Sequence, residues 1–519
     1  MIWVILFAIF VYFSYRHLYA RPIPQNVLRA RRARMSKIPR IQIPATDTFS
    51  PRDKIAGVVE SLDWCNEITR ICWPQIGKIV EDQLDWAIQP LINHHIPPPF
   101  SKFRFISADL GKDPLRVDKV IVHKRHNDSI ALDLDVHFQG SPNIKMKCAP
   151  LTAPFGIKEL RWSGRLSVVL RPLIKNIPLV GAVHVAMIDH PTIDMDFTGI
   201  ANLSEFGPLE KVVRLVLKNV TASMIVLPNR FMHKLSESVD FFRTYFPPFG
   251  VMVVTIKQGR GFTKLKRIGK IKSIPDLYCR ATFGLEEMKT DVVWDKLEPV
   301  WNTTKAFLVS AMEQPFRLKC LDKDRLSKDD LVGSMTFTAR ELLATEVRWE
   351  RFHDRVREKV AKNGELFLIS KFYAFQDPSE PVVGRCVVSI LIDRARNLPP
   401  MSKEVACRIE VGDKQKQTPP IRQAKCPIPG MDPINPVWSF SFDALCEDTS
   451  QANVKLTVLD SGKELGSVRV FASELIQSTT KSKEGYFPVG LSGAVRAKVI
   501  LRGLVLAKVP ERVNEEESI

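Results

Sequence analysis

No two of the nine cysteines (Cys65, Cys72, Cys148, Cys279, Cys320, Cys386, Cys407, Cys426, Cys446) stand in a C-x-x-C pair. Their scatter and odd number argue against a zinc ribbon and against a disulfide framework, so the folded part is expected to face a reducing compartment, the cytosol. Also missing are a G-x-S-x-G elbow, an H-E-x-x-H helix and a phosphate loop, and with them the commonest signatures of hydrolases, zinc proteases and nucleotide enzymes. No enzymatic activity is expected. His123 and His126 flank Lys124-Arg125, and His94 adjoins His95, but neither pair has partners at metal spacing, which reads as exposed loop histidine. No zinc-finger or RNA-recognition signature accompanies the formal charge of +18, so nucleic acid is not the expected partner. The charge itself admits an anionic membrane surface or an acidic protein and does not choose between them.

Acid is absent from the first 46 residues. Met1 to Phe13 carry no charge at all, and eight bases stand between them and Asp47: Arg16, Arg21, Arg29, Arg31, Arg32, Arg34, Lys37 and Arg40. The apolar run gives roughly 20 Å of helix, a marginal span unless the turn through Arg16 to Ala20 completes it. The bases place the rest of the chain on the cytosolic side. A cleaved signal peptide would need a basic stretch before the run and a small-residue cleavage site. Neither is there, so residues 1–20 read as a membrane anchor and 21–59 as a basic linker. The N-x-S/T sequons at Asn127, Asn202, Asn219 and Asn302 are accordingly expected to stay unmodified.

Beyond the linker, hydrophobic periodicity sets the elements. From Glu60 to Leu91 apolar residues recur at helical spacing, with Pro74 expected to bend or break the helix near Trp73. After Pro97-Pro98-Pro99 the period becomes two. Leu132, Leu134, Val136 and Phe138 alternate with polar residues, as do Val183, Val185 and Met187, and Ile193, Met195 and Phe197, each a half-buried strand. A second helix is expected through Leu209 to Met224, ended by Pro228. Such continuous apolar faces line either an ordinary closed core or a groove for an apolar guest, and the pattern alone favours the core.

From Gly250 onward the chain repeats itself. Gly250 to Ile256 is echoed by Gly384 to Ile390, Pro299-Val300-Trp301 by Pro436-Val437-Trp438, and Leu331-Val332-Gly333-Ser334 by Glu464-Leu465-Gly466-Ser467. Short strands with turns between them predict two successive β-sandwiches. In the first, Asp322 and Asp324 stand two apart at a strand end, and a short loop returns Asp330 beside them. Three converging carboxylates suit a hard, oxygen-seeking cation such as calcium. In the second, the loop is five residues shorter and keeps only Asp460, so no calcium is expected there.

The Asp322 to Gly333 segment resembles the third calcium loop of a synaptotagmin-type C2 domain. Ile274-Pro275-Asp276-Leu277-Tyr278 is similar to the first-loop element of that family, which adds Asp276 to the implied calcium set of Asp276, Asp322, Asp324 and Asp330. The family's other first-loop acid is missing, and Lys264, Lys266, Arg267, Lys270 and Lys272 occupy that stretch. Neighbouring positive charge weakens a dication site while attracting anionic headgroups, so calcium is expected to bind weakly. Lys414 and Lys416, with Arg422 and Lys425, form a candidate anionic-lipid patch in the second sandwich, solvated surface lysines being the equal alternative.

Upstream, Trp73-Pro74, Pro114-Leu115-Arg116-Val117, Leu132-Asp133-Leu134, Pro178 to Ala182 and Val226 to Arg230 resemble the synaptotagmin-like, mitochondrial, lipid-binding (SMP) domain. With the anchor and the C2 pair, the chain is similar to the extended synaptotagmins and tricalbins. The resemblance implies a multidomain α+β and all-β protein. It would comprise a TULIP-like curved-sheet domain at 60–245, C2 sandwiches at 249–375 and 384–508, a linker at 376–383 and an acidic tail at 509–519. It further implies end-to-end homodimers, phospholipid as cargo, an endoplasmic reticulum anchor and a plasma membrane target. A lipid-facing groove would then run along Leu132, Leu134, Val136, Phe138, Val185, Met187, Ile193 and Met195. A tether that moves no lipid shares every feature except the filled groove.

Overall fold

The computed structural model describes residues 62–508 apart from 85–88, 90–91, 94–95, 97, 99, 127, 150–153, 199–213, 217–218, 220, 222–224, 264, 267–271, 325–328, 355–358, 400–403, 423–431 and 491–492. The expected anchor at 1–20, the basic linker, the acidic tail and most of the helix expected through Leu209 to Met224 lie outside the described residues. Among the described residues no helix is long and apolar enough to cross a membrane. The described chain divides into two compact units: residues up to 122 with 132–166 and 191–220, and residues 123–131, 167–190 and 221 onward.

In the first unit, helix α1 (Asp63–Gln83) runs through Pro74 without interruption, against the expected break. Proline removes one backbone donor, and anchorage at the preceding residue offsets the loss. The Trp73 indole N–H donates to the Gly111 carbonyl at 3.0 Å, and its ring stacks on Phe138 at 5.9 Å. At the N-terminal end Asn66 clasps the backbone of Val117, donating to its carbonyl at 3.1 Å and accepting its N–H at 2.8 Å. The sheet consists of β1 (Ser101–Asp109), β2 (Arg116–His126), β3 (Ser129–Gly140), β4 (Asn143–Ala149) and β5 (Phe155–Leu173), in the order β1-β4-β5-β3-β2. His123, expected in a loop, lies within β2. After β6 (Val180–Met187), β7 (Thr192–Thr198) pairs along β5, with Trp162 opposite Ile193 and Leu160 opposite Met195.

The second unit takes the end of β5 together with β6 and β8 (Phe231–Lys234), which pair antiparallel. The alternation expected in β6 misses half of its burial: Val183, Val185 and Met187 are buried, but so are Ala182, His184 and Ala186 on the other face. The two sandwiches come next, each built from two antiparallel sheets around its own apolar core. In the first, strands Leu277–Phe283, Pro315–Asp322 and Asp330–Thr338 face strands Gly250–Arg260, Val300–Val309 and Lys359–Phe375. In the second, Glu404–Val411 and Val454–Asp460 face Cys386–Arg396, Val437–Cys446 and Ala494–Ala507. Phe372 to Phe375 pair with Ala507 to Leu504, so one eight-stranded sheet runs through both sandwiches. The ladder uses edge groups that would otherwise stay open for strand addition.

Candidate functional site

The strand ends that carry the acids of the first sandwich meet in register, Leu277 opposite Asp322 and Asp322 opposite Asp330. The Asp276 N–H donates to Asp322 Oδ1 at 2.7 Å, the Lys323 N–H returns to the Asp276 carbonyl at 2.8 Å, and Asp276 Oδ1 accepts from the Asp295 N–H at 3.0 Å. Asp276 and Asp322 are thereby locked together, with Asp322 only 3% exposed. Asp330 opens the next strand on the surface.

Asp329, absent from the set read from the spacing, is held by Tyr278, Lys323 and Asp324. It accepts from the Tyr278 hydroxyl at 2.6 Å, from Lys323 Nζ at 3.0 and 3.2 Å, and from the Asp324 N–H at 3.2 Å. The Tyr278 hydrogen bond and then the lysine hold its carboxyl down at about 2, while burial and that same carboxylate push the Tyr278 hydroxyl up to about 12. The lysine inside D-K-D was the available signal, since a cation between two acids needs a nearby carboxylate.

Among the described residues no three acid, histidine or cysteine side chains stand close enough to hold a metal ion. The donors of Asp276, Asp322, Asp324 and Asp330 are nonetheless all oxygen, the chemistry calcium requires. Asp276 and Asp322 are already fixed by backbone bonds, which reduces the ordering that an ion would impose on them. Lys323 sits within the loop and opposes a cation electrostatically.

The second sandwich reproduces the frame without the cluster. Asp460 Oδ1 accepts from the Glu404 N–H at 3.0 Å and the Ser461 N–H donates to the Glu404 carbonyl at 2.8 Å, matching Asp322, Asp276 and Lys323 bond for bond. Trp438 and Trp301 donate to the Val405 and Leu277 carbonyls, and the Cys407 and Cys279 N–H groups donate to Thr418 and Thr290. Glu404 therefore occupies the Asp276 position, a correspondence hidden by the change of acid. An aspartate at the Asp322 position serves a structural end in both copies, closing the loop onto the backbone.

Of the basic residues singled out, Lys264, Arg267, Lys270 and Lys425 lie outside the described residues. Lys266 and Lys272 pair across a two-residue ladder. Lys414 Nζ donates to the Leu445 carbonyl at 2.6 Å, and burial lowers the Lys416 ammonium. These two lysines are half-buried rather than splayed into solvent.

The eight apolar positions fall into two sets. Val136, Phe138 and Met195 in the first unit, and Val185 and Met187 in the second, are closed off by protein. Leu132, Leu134 and Ile193 are part-open, and the same face of β3 continues to Ile130 at 36% exposure. A separate cleft of ≈ 720 Å³ in the first unit is polar, lined by Arg70, Arg116, His137, Glu159 and Arg161 among others. None of the eight positions lines it.

Between β8 and the first sandwich, Asp240 caps the short helix α2 (Phe241–Thr244) through the Phe242 N–H at 2.8 Å. This connector leads into the first sandwich yet seats on the second. Phe241 and Tyr245 pack on Leu391, the Tyr245 hydroxyl donates to Ser389 at 2.9 Å, and Arg496 pairs with both Asp240 and Asp393. At the first sandwich, Arg317 pairs with Asp189 just beyond β6, and Ala186, Ile188, Leu227 and Ala311 form one apolar cluster.

An antiparallel sheet domain thus leads into tandem sandwiches that are built on one shared loop frame. Residues 58–236 match the synaptotagmin-like mitochondrial-lipid-binding domain, and 250–352 and 386–488 each match the C2 domain. Extended synaptotagmin-2 of Mus musculus is 27% identical over 489 residues, covering 86% of this chain and 55% of that protein. Extended synaptotagmin-1 of Rattus norvegicus is 25% identical over 547 residues, covering 99% and 48%. A solved structure of the SMP domain and two C2 domains of extended synaptotagmin 2 superposes with a TM-score of 0.60 at 23% identity, covering 86% of this chain and 99% of that one. The chain therefore carries one synaptotagmin-like mitochondrial-lipid-binding domain followed by two C2 domains, and in that order it is similar to the extended synaptotagmins. It spans about half the length of the curated relatives it matches.

Proposed function

We propose that this protein tethers two membranes and moves glycerolipid between them. The SMP domain, at 60–245, holds acyl chains, and the C2 domains at 249–375 and 384–508 dock on an anionic bilayer. The observation that carries the reading is the order of an SMP domain and two C2 domains in one chain, joined to an apolar face of β3 that stays part-open at Ile130, Leu132 and Leu134. A closed core would leave no such row accessible. The N-terminal apolar segment would anchor the chain in the endoplasmic reticulum, leaving the plasma membrane as the docking target.

Calcium would modulate the first C2 domain only, held weakly by Asp276, Asp322, Asp324 and Asp330. When bound, it would add positive charge facing the bilayer. Docking would otherwise rest on the bases between Arg260 and Lys272, with a smaller share from Lys414 and Lys416. Self-association through the SMP domain is supported by Trp64, Ile68 and Ile71, which lie one helical turn apart on α1 and are 62%, 54% and 65% exposed.

The test is transfer of fluorescent phospholipid between liposomes by the full chain. Leu134→Trp, filling the open part of the face, should abolish transfer while leaving liposome tethering intact. Transfer unchanged by that substitution would leave the second reading, a tether without transport.

A further inference from the structure

The β5–β6 hairpin carries the most exposed large apolar side chain among the described residues. Ile177 is 88% exposed, Leu179 is 58% and Leu173 is 36%. An aliphatic tip of this kind costs solubility unless something covers it. Its backbone is nonetheless tightly held: the Leu179 N–H donates to the Asn176 carbonyl at 2.7 Å and the Ile174 N–H donates to the Leu179 carbonyl at 2.8 Å. Leu179 sits at φ +70, a left-handed conformation that leucine rarely adopts. A strained turn that keeps two aliphatic side chains in water points to a surface requirement rather than to a packing accident.

The charge around the tip identifies the partner. Lys175 lies within it, exposed. The neighbouring β2–β3 turn is held to it by the Leu173 N–H donating to the Asp128 carbonyl at 2.9 Å. Asp128, the acid of this turn, pairs with Arg171 at 3.5 Å. Aliphatic side chains beside an exposed lysine, with the one nearby acid already paired, suit an anionic bilayer, whose headgroups take the lysine while its acyl boundary takes the isoleucine and leucine. A second copy of this chain would bring Lys175 against itself.

We infer that the hairpin of residues 173–180 is a membrane-inserting tip through which the lipid-binding domain itself contacts an anionic bilayer, independently of the C2 loops. Strand β6 runs from this tip toward the Asp189–Arg317 pair on the first C2 domain, roughly 25 Å along the strand. The contact is thus separate from the calcium loops and needs neither calcium nor lipid transfer.

The test places an environment-sensitive fluorophore on the tip of the full chain as Asn176→Cys. Vesicles of phosphatidylcholine with phosphatidylserine, added without calcium, should shift its emission to the blue, and nitroxide-labelled lipid should quench it. Lys175→Gln should raise the vesicle concentration at half-maximal change about fivefold. Ile177→Asp with Leu179→Asp should abolish the shift without altering the circular dichroism of the chain. No shift on vesicles that bind the chain would overturn the inference. So would a shift that appears with protein concentration alone, which would mark the tip as a contact between copies. Because the readout is insertion and not transport, failure of lipid transfer leaves it unaffected.

Discussion

Lowering the pH from 7 to 5 is expected to cost the C2-bearing unit about 2 kcal/mol through His184 alone. This imidazole sits in β6 with both faces of the strand covered, at 5% exposure, and its Nε2 has no hydrogen-bond partner among the described residues. Burial first, then the guanidinium groups of Arg230 and Arg171 against a hydrogen bond with the Thr244 backbone, bring it from 6.5 down to about 3. A base whose folded value is depressed contributes stability that is complete above its unfolded value and is lost as the pH falls toward the folded one. At pH 5 the unfolded side chain is protonated by about 30 to 1 and the folded one is still neutral, which gives about 2 kcal/mol. His233 on the facing strand, lowered to about 4 mainly by burial, adds to the same trend. The assay is urea unfolding of the full chain at both values, beside His184→Gln, whose amide does not titrate. The stability difference between the two proteins should shift by about 2 kcal/mol across this range, against the wild type at low pH. An unchanged difference would mean that the imidazole reaches solvent or an acidic partner, refuting the closed packing of β6 on β8.

The remaining predictions concern the loops, the groove and the connector. Asp322→Asn combined with Asp324→Asn should remove calcium-dependent liposome binding, whereas Asp460→Asn should leave it unchanged and merely loosen the second loop, as read by hydrogen exchange at Glu404. Asp329, depressed from 3.8 to about 2, should stabilise the first loop fully above its unfolded value and release it as the pH falls toward 2, which protease sensitivity of the loop would report; Lys323→Met should narrow that window. Val136→Trp should destabilise the fold by about 1–3 kcal/mol through overpacking, in contrast to Leu134→Trp on the open part of the same strand. Tyr245→Phe should cost about 1 kcal/mol and expose the connector at Arg243 to trypsin, and cleavage no faster than in the wild type would contradict its seating on the second C2 domain.

The repeated landmarks from Gly250 onward are legible because each repeats a set of local constraints: a strand start, a Pro-x-Trp strand entry and a glycine. The strand at Ile193 to Phe197 is legible because its outward face is polar, whereas β3 follows the expected alternation only from Val136 onward, since Ala131 and Asp133 are buried and Leu132 and Leu134 are part-open. Strand β6 misleads because Ala182 and Ala186 are too small to register as a second apolar face, although both are fully buried. Pro74 misleads because a proline's local penalty takes no account of the neighbouring tryptophan's partners, Gly111 and Phe138. Asp329 escapes because spacing rules weigh residue type at fixed offsets, while the folded loop selects the carboxylate that meets Tyr278 and Lys323, and Glu404 escapes because the acid at the Asp276 position has changed type. The seating of Tyr245 on Ser389, 144 residues away, has no local signature at all.

The central claim is that the SMP domain holds lipid, and mass spectrometry of lipids carried by the purified full chain tests it most directly. The account predicts bound glycerophospholipid that is retained by the wild type and lost in Leu134→Trp, with both proteins equally folded. Equal lipid in the two, or none in either, would contradict it.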